Sequence, residues 1–292
     1  MIEGVFINLD SALERRAAME AELARHRPPY PVRRFRGIEG AAQAGRPALL
    51  RAGEYGCWLS HLAALGEAGG GEAHLHVMED DARLSAALGL VPELVRVLEA
   101  DSGGDWDLLY LDATLVEIAD MQEMFEWTQA ARKRGAVEVC PIPAGFTVYG
   151  THSYIVNARR KQAVRTFLSG LLASGKPIDN ALAYGIQHKR LRAYVTAPFV
   201  TTGAELGLDS DIGYESKERF IAWLLFRRLC FVELADADLA ELAARSARLS
   251  GVVAPPEALF GALCAYRVAR WPHTRFPPGI DSAPESAHES AS

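Results

Sequence analysis

Three consecutive carboxylates, Glu79, Asp80 and Asp81, follow an apolar stretch at residues 74–78. The stretch is rich in β-favouring side chains and predicts a short buried strand that ends at the acids. Crowded like charges do little for stability there, whereas hard cations such as Mg²⁺ and Mn²⁺ prefer carboxylate oxygens and often hold substrate phosphates. Because ligands bind at the carboxyl ends of strands in alternating α/β domains, the run predicts a metal and nucleotide-diphosphate site. The alternative is a solvated acidic turn in which Asp81 caps the next helix.

The direction of each acid depends on whether the strand continues through the run. In a continuous strand, Glu79 and Asp81 point to one face and become the metal ligands, while Asp80 points to the other face, toward sugar or ribose. A turn at this position would remove the basis for that assignment. His152 supplies a further metal ligand or contacts the diphosphate, because Mn²⁺ accepts imidazole as well as oxygen. The alternative for His152 is a packed histidine beside Tyr154.

Two other aspartates are candidates for a general base in such a site. Asp179, the first choice, follows Pro177 at a predicted helix start, where the helix dipole stabilises its anion. The same position suits a simple N-cap. Asp112, the second choice, ends the predicted strand at residues 108–111, and its alternative is the start of a turn.

Arg15 and Arg16 lie in the first turns of the helix predicted after the first strand. Cations at this end of a helix oppose its dipole. One interpretation is that one of them reaches a phosphate over the strand end, since the guanidinium fork matches phosphate oxygens. The other is that they are simply solvated or that one pairs with Glu20.

Alternating strands and helices must position these residues, which is typical of an α/β domain with a mixed, mostly parallel central sheet. Strands are predicted at residues 4–10, 32–35, 74–78, 108–111, 146–149, 153–156 and 191–195. Helices are predicted after residue 10, from residue 53, at 92–100, 121–134 and 158–173, and from residue 177. The mixed sequence at residues 113–140 indicates a lid or an insertion. Within the helix from residue 53, Gly56 and Ser60 are small enough for close approach of another backbone or a ligand, and His61 is typical of a structural histidine.

The composition bounds the class of protein. The 292 residues are 49% hydrophobic and 23% charged, which allows a sizeable core. The formal net charge of -6 argues against nucleic acid as the main partner. The four cysteines are widely separated, which favours neither a zinc site nor a disulfide framework and fits a reducing cytosol. With no signal peptide after Met1 and no apolar run of about 18 residues, the sequence predicts a cytoplasmic protein.

The character of the chain changes at residue 213. Helices predicted at residues 217–232, 235–249 and 256–269 make residues 213–272 a helical appendage, and the Ser-, Ala-, Glu- and Pro-rich residues 273–292 predict a disordered tail. The appendage is either a packing layer over the domain formed by residues 1–212 or a module for dimerisation or for the membrane surface. Its arginines permit peripheral attachment to the anionic inner face of the membrane; they include Arg227, Arg228, Arg267 and Arg270. The oligomeric state stays open.

Five separated motifs within residues 1–212 resemble glycosyltransferase family 25, the lipooligosaccharide galactosyltransferases and their relatives. They occur in the order found in that family. The motifs are Ile7-Asn8-Leu9-Asp10 with Glu14-Arg15-Arg16, Gly53-Glu54-Tyr55-Gly56-Cys57 with Ser60-His61, Met78-Glu79-Asp80-Asp81-Ala82, Gly150-Thr151-His152-Ser153-Tyr154, and Pro177-Ile178-Asp179.

The resemblance implies a GT-A-type fold and transfer of a sugar, commonly galactose from UDP-galactose, to a hydroxyl of a glycan acceptor in lipopolysaccharide or surface-glycan biosynthesis. It also implies inversion at the anomeric carbon, a Mn²⁺ or Mg²⁺ cofactor, and the metal motif at residues 79–81. The donor-binding residues that it implies are Asn8, Arg15, Arg16, Ser60, His61, Asp80, Gly150 and Thr151. Two departures stand out: Met78 replaces the usual leucine, and residues 113–140 do not resemble the family's middle region, which leaves the acceptor open.

Two other classes of protein remain open on the residues alone. A metal-dependent phosphohydrolase also gathers carboxylates at strand ends and would hydrolyse the nucleotide without an acceptor. A non-catalytic binding protein with a decayed transferase domain is the other class, and the intact acidic run argues against it.

Overall fold

A seven-stranded sheet is the centre of the protein in the computed structural model, which describes residues 1–68, 71–204 and 217–233. The strands in the described ranges are β1 (Ile2–Asn8), β2 (Val32–Arg36), β3 (His74–Glu79), β4 (Ala82–Arg83), β5 (Leu108–Tyr110), β6 (Thr114–Leu115), β7 (Glu138–Pro141), β8 (Val148–Tyr149), β9 (Ser153–Val156), β10 (Ala193–Ala197) and β11 (Thr202–Gly203). The helices there are α1 (Leu13–His26), α2 (Ala52–Glu67), α3 (Val91–Ser102), α4 (Ile118–Lys133), α5 (Lys161–Leu171), α6 (Ile178–Gln187) and α7 (Lys217–Cys230), with short 3₁₀ helices at Gly40–Ala42, Ala86–Leu90 and Leu172–Ser174.

The order of the large sheet is β2-β1-β3-β9-β5-β10-β7. Strands β2, β1 and β3 are mutually parallel, and β5 and β10 are parallel to each other. Strand β9 is antiparallel to both β3 and β5, and β7 is antiparallel to β10 at the edge. The predicted mixed, mostly parallel sheet is therefore confirmed. Because β9 runs against β3, its first residue lies at the edge of the sheet where β1, β3 and β5 end.

The order in which successive strands are added to the sheet changes sides at β1. Strand β2 lies on one side of β1 and β3 on the other. In open α/β sheets, such a switch point leaves a crevice beyond the carboxyl ends of the two diverging strands. Here the crevice lies between the end of β1 at Asn8 and the end of β3 at Glu79, and Ile7 is directly paired with Glu79.

Helices cover both faces of the sheet, and the period-2 alternation of each strand divides its side chains between two cores. Leu75 and Val77 of β3 belong to one buried cluster, whereas Met78 belongs to the other. Met121 and Met124 of α4 are buried in the first cluster. The segment predicted as a lid or insertion therefore contributes a helix that is packed into the core.

Helix α1 begins without a side-chain cap, although Asp10 and Ser11 are the polar residues that precede it. Its N-cap residue is Ala12, which makes no side-chain capping bond. Asp10 is instead drawn to β2, where it pairs with Arg34 at 2.5 Å and Arg36 at 2.7 Å. Two guanidinium charges compete successfully for a carboxylate that would otherwise cap α1.

Helix α7 packs against the same core as the strands. Leu225, Phe226 and Leu229 belong to the first buried cluster. Arg132 of α4 donates to the carbonyl oxygens of Leu229 (2.9 Å) and Phe231 (2.8 Å), which lie at the end of α7. This helix thus forms a packing layer over the domain. The predicted helices at residues 235–249 and 256–269 and the predicted tail at 273–292 lie outside the described residues, and no described helix is both long and apolar enough to cross a membrane.

A fully buried histidine joins three segments of the second core. The ring of His76 bridges the hydroxyl of Tyr30, 3.0 Å from Nδ1, and the hydroxyl of Ser153, 2.8 Å from Nε2. Burial lowers the pKa of His76 from its ordinary 6.5 to about 3. As the pH falls through 6.5, the unfolded chain takes up a proton at His76 that the folded protein does not accept. The stability that this residue contributes is therefore complete above pH 6.5 and is lost toward pH 3.

We expect His76→Gln to flatten the acid side of the stability curve. Between pH 6.5 and about pH 3, proton uptake by His76 in the unfolded chain lowers the free energy of unfolding by about 1.4 kcal/mol per pH unit. The glutamine amide of the variant does not titrate, so this decrease is absent. Urea unfolding at pH 7 and pH 5 measures the difference, and wild type should lose about 2 kcal/mol more than the variant. The exposed His188 gives the control His188→Gln, which should keep the wild-type slope. Parallel curves for wild type and His76→Gln would contradict the prediction.

Candidate functional site

The acidic run lies at the switch point, and the strand ends inside it. Strand β3 finishes at Glu79, and Asp80 and Asp81 form a turn that leads into β4. The assumption of a continuous strand is therefore wrong, because the ladder stops before the second acid. The turn nevertheless brings Glu79 and Asp81 together with His152, with one candidate ligand atom of each within 4.8 Å of the others. Asp81 does not cap a helix, since Ser85 precedes the next 3₁₀ helix.

His152 reaches this group because β9 runs beside β3. The backbone N–H of Glu79 donates to the carbonyl oxygen of His152 at 2.8 Å, which continues the pairing of the two strands by one step. Nε2 of His152 then lies 3.9 Å from Oδ2 of Asp81. Nδ1 of His152 and Oδ1 of Asp81 are buried and have no hydrogen-bond partner within the described ranges. Orphaned atoms on Asp81 and His152, together with the converging Glu79 carboxylate, fit a divalent cation such as Mn²⁺.

Glu79 is held as an anion by its neighbours. The hydroxyl of Thr151 donates to Oε1 of Glu79, and Nε2 of His61 lies 3.4 Å from the same oxygen. Burial disfavours the charged form, but the imidazoles of His61 and His152 and the Thr151 hydroxyl outweigh it and lower the pKa of Glu79. On its other side, His61 forms a 2.8 Å hydrogen bond between Nδ1 and the hydroxyl of Tyr154. Glu79 is thus oriented by side chains from α2 and from the start of β9.

Asp80 points away from the group and across the switch point. It accepts a hydrogen bond from Nδ2 of Asn8 at 2.6 Å and lies 3.3 Å from Nε of Arg15. Burial raises the pKa of Asp80 to about 6, although Asn8 and Arg15 act in the opposite direction. Oδ1 of Asn8 accepts from Nε of Arg34 at 2.9 Å, which fixes the amide. The ends of β1 and β3 are therefore joined by a short polar bridge.

The predicted arginine pair divides between two surroundings. Arg15 is partly buried beside Asp80. Arg16 forms a 2.8 Å pair with Glu20, and both side chains are about half exposed. Arg16 thus has the ion pair expected under the solvated interpretation, and only Arg15 faces the acidic run.

A cleft of about 370 Å³ lies beside the acidic run. One wall is apolar, from Ile7, Leu9 and Ile38, and another is formed by the first turns of α2. The polar residues that line it are Ser11, Arg15, Glu39, Cys57, Ser60, His61, Glu79, Asp80 and Asp81. A cleft with one apolar wall and convergent polar groups is typical of a small-molecule site.

The wall of the cleft depends on the close approach of two backbones. Ser60 accepts from the backbone N–H of Ile38 at 2.8 Å and donates to the carbonyl oxygen of Gly56 at 2.6 Å, so its hydroxyl joins α2 to the loop after β2. A Cβ on Gly56 would lie 2.5 Å from the carbonyl oxygen of Ile38, and a Cβ on Gly40 would overlap the carbonyl oxygen of Ala52. The predicted close approach at Gly56 and Ser60 is thus made by another backbone.

We expect Gly40→Ala to destabilise the protein by about 1–3 kcal/mol, because backbone atoms of α2 must shift to admit the methyl group. Gly89→Ala is the matched control, since a Cβ there meets nothing within 4 Å. Thermal or urea unfolding of both variants measures the effect. Equal stability of Gly40→Ala and Gly89→Ala would contradict the description of this wall.

Gly150 has a backbone that favours glycine, with φ of +99°. A Cβ at this position would lie 3.4 Å from both Nδ1 of His152 and Oγ1 of Thr114. Gly150 therefore lets the chain turn into β9 next to His152, while Thr151, which is 6% exposed, donates to Glu79. Gly150 and Thr151 therefore help to position the candidate metal ligands His152 and Glu79 from the segment that leads into β9.

Asp179 lies in the first turn of α6, near the candidate metal ligands Glu79 and His152. The charges of Glu79 and His152 both act on its carboxyl, and burial raises the pKa of Asp179. The N-cap residue of α6 is Pro177, so the alternative that Asp179 is the N-cap is wrong. A partly buried carboxyl with a raised pKa is a better proton acceptor than an ordinary surface aspartate.

Asp112 lies at the end of β5 but is occupied by an ion pair. Its Oδ2 accepts from Arg227 of α7, and both side chains are almost fully buried. The partner comes from 115 residues further along the chain, which no local pattern reveals. A carboxylate neutralised in this way and closed to solvent is poorly suited to accept a substrate proton.

Three further residues of the site were not among the predicted site residues. Tyr154 orients His61, Cys57 lines the cleft, and the charge of Arg227 acts on Asp81. Tyr154 and Cys57 stand within two of the five sequence motifs, which assign neither of them a contact at the site. Each contact joins segments that are far apart in the sequence, so local patterns do not predict it.

In comparisons with known proteins, no family model and no curated protein matches this chain.

Proposed function

We propose that the protein is a metal-dependent glycosyltransferase of the GT-A type, similar to family 25, which transfers a hexose from a nucleotide sugar to a hydroxyl of a glycan acceptor. The donor we propose is UDP-galactose, and the process is lipopolysaccharide or surface-glycan biosynthesis. The observation that carries the proposal is the convergence of Glu79, Asp81 and His152 beside a cleft at the switch point of the sheet. A cation held by carboxylates commonly binds substrate phosphates as well, and ligands of open α/β sheets bind in the crevice at the strand ends, so this combination suits a nucleotide diphosphate.

The side chains that would hold Mn²⁺ or Mg²⁺ are Glu79, Asp81 and His152. When bound, such an ion supplies positive charge that stabilises the negative charge developing on the leaving diphosphate. Glu79 is already held as an anion by His61, His152 and Thr151, which keeps a charged oxygen available as a ligand. Thr151 and His61 orient the carboxylate before any ligand arrives.

The residues around Asp80 are suited to binding the donor. Arg15 provides a guanidinium at the cleft, and guanidinium groups match phosphate oxygens. Asp80 lines the cleft and is held by Asn8 across β1 and β3, so its remaining lone pairs have a fixed direction there. Asn8 itself is 1% exposed and supports Asp80 from below the cleft. The apolar wall from Ile7, Leu9 and Ile38 offers a surface for a flat nucleobase.

The transfer itself is a single displacement in this proposal. Asp179 takes the proton of the acceptor hydroxyl while the acceptor oxygen forms a bond to the anomeric carbon. The bond from that carbon to the diphosphate oxygen breaks with its electron pair, and the nucleoside diphosphate leaves. Attack from the side opposite the leaving group inverts the anomeric configuration. The raised pKa of Asp179 supports this assignment, whereas the ion pair with Arg227 removes support for Asp112.

Thermal shift with a panel of nucleotides and nucleotide sugars, each with and without Mn²⁺, tests the proposal. A ligand that binds only the folded state raises the melting temperature, by about 5 °C or more at 100 times its Kd. We expect a Mn²⁺-dependent rise that is selective for UDP and UDP-galactose. Folded protein that shows no rise with any nucleotide would favour a binding protein of another kind. Nucleotide hydrolysis at an undiminished rate without acceptor would favour the phosphohydrolase.

A further inference from the structure

A second group of potential ligands lies in the cleft, on the α2 side of Glu79. Cys57 and His61 are one turn apart on α2, and one ligand atom of each lies within 4.8 Å of the other and of a Glu79 oxygen. All three residues line the cleft. The set differs from the group of Glu79, Asp81 and His152 because it contains a thiol.

His61 has the arrangement of a metal-binding histidine. It is fully buried, its Nδ1 is bonded to the hydroxyl of Tyr154 at 2.8 Å, and its Nε2 makes no hydrogen bond within the described part of the chain. Nε2 lies on the opposite side of the ring from Nδ1, 3.4 Å from Oε1 of Glu79, and becomes a donor atom for an ion that displaces its proton. A hydrogen bond on one ring nitrogen that fixes the tautomer and frees the other is typical of histidine ligands.

The distance between the His61 and Glu79 donor atoms fits one tetrahedral ion, and the Cys57 ligand atom lies within 4.8 Å of both. Zn²⁺ binds thiolate, imidazole and carboxylate at about 2.0–2.3 Å, so two ligands of one tetrahedral ion lie about 3.3–3.6 Å apart. Nε2 of His61 and Oε1 of Glu79 are 3.4 Å apart. Cys57 is a free thiol and is partly exposed at the cleft, which leaves it accessible to an incoming ion.

We propose that Cys57, His61 and Glu79 form a second cation site, selective for a thiophilic divalent ion of the Zn²⁺ type. The metal selectivity of this site differs from that of a site built of carboxylates, because a soft thiolate ligand favours Zn²⁺ over Mn²⁺ and Mg²⁺. The three protein ligands leave the fourth position open toward the cleft, as in zinc sites that bind a water or a substrate. The site does not require the proposed transferase activity.

Titration of the full-length protein with Co²⁺, followed by displacement with Zn²⁺, tests the site. Cobalt bound by a thiolate gives a sulfur-to-metal charge-transfer absorption in the near ultraviolet, which carboxylate and imidazole ligands alone do not give. We expect the absorption in the wild type and its loss in both Cys57→Ser and Cys57→Ala. His61→Gln should weaken Co²⁺ binding by at least about tenfold, since even loss of an outer partner has an effect of 10- to 100-fold.

Two variants serve as controls for these changes. Cys140→Ser removes another free, partly exposed cysteine and should keep the absorption. Asp81→Asn removes a member of the other group and should also keep it. The proposal is overturned if the folded wild type shows no absorption, if the absorption survives both Cys57 substitutions, or if Cys140→Ser or Asp81→Asn abolishes it. None of these readouts uses a sugar nucleotide, so they are independent of the thermal-shift result.

Discussion

Asp81→Asn is expected to reduce Mn²⁺-dependent sugar transfer by at least about 10³-fold, because stabilisation of the leaving diphosphate by a bound cation is worth several kcal/mol. The substitution keeps the shape of the side chain and removes its charge. Burial raises the pKa of Asp81, so ionisation of this carboxyl opposes folding at neutral pH. The melting temperature should therefore be unchanged or higher. Release of nucleoside diphosphate and formation of the glycan product measure the activity.

Asp10→Asn is the matched control for that experiment. Asp10 also follows a strand of the sheet, but its side chain is 53% exposed and pairs with Arg34 and Arg36. We expect its transfer rate to stay within a few-fold of wild type. Full activity of Asp81→Asn would remove the metal site from the mechanism. A loss of activity with a lowered melting temperature would show that the carboxylate acts on folding instead.

Arg227→Ala is expected to lower the free energy of unfolding by about 3–5 kcal/mol, because it leaves the buried Asp112 carboxylate without its partner. The two side chains are 3% and 2% exposed, so water cannot replace the guanidinium. The substitution also removes a long side chain from the contact between α7 and the end of β5. Urea unfolding at neutral pH measures the loss.

The double variant Asp112→Asn with Arg227→Met separates the charge from the packing. Replacing both members of a buried ion pair by uncharged side chains is far less costly than removing one. We therefore expect the double variant to be more stable than Arg227→Ala. Arg16→Ala is the surface control, and its stability should stay within about 0.5 kcal/mol of wild type. If Arg227→Ala were as stable as Arg16→Ala, the pair would contribute nothing to the attachment of α7.

These results would also define the extent of the folded domain. Helix α7 adds Leu225, Phe226 and Leu229 to the core of the sheet, and Arg132 binds its carboxyl end. The sequence places a boundary at residue 212 because composition changes there. A change in composition does not show whether the following helix packs against the domain, because that depends on which apolar faces meet in the folded chain. The helix itself was predicted from its pattern, but its attachment to β5 through Arg227 was not.

Much of the fold follows from local patterns in the sequence. Each strand of the large sheet except β7 was predicted within a few residues, because β-favouring side chains and polar turns are neighbours in the chain. The position of Glu79 at the end of a strand follows for the same reason. The sequence also predicts that Asp80 points away from Glu79 and Asp81, because side chains alternate along a strand. The strand ends at Glu79, however, so the direction of Asp80 is set by the turn and by its partners Asn8 and Arg15.

The candidate site was assembled by the tertiary structure. Strand β9 enters between β3 and β5 in the opposite direction, and this brings Thr151, His152 and Tyr154 to Glu79 and His61, across more than 70 positions of sequence. The insertion of a strand depends on the pairing of backbones and on the packing of both faces at once, which neighbouring residues do not encode. The same holds for Asp112, whose role was set by an arginine from the last described helix. The sequence by itself determined which residue types stand at the strand ends; the order of the strands decided which of them meet.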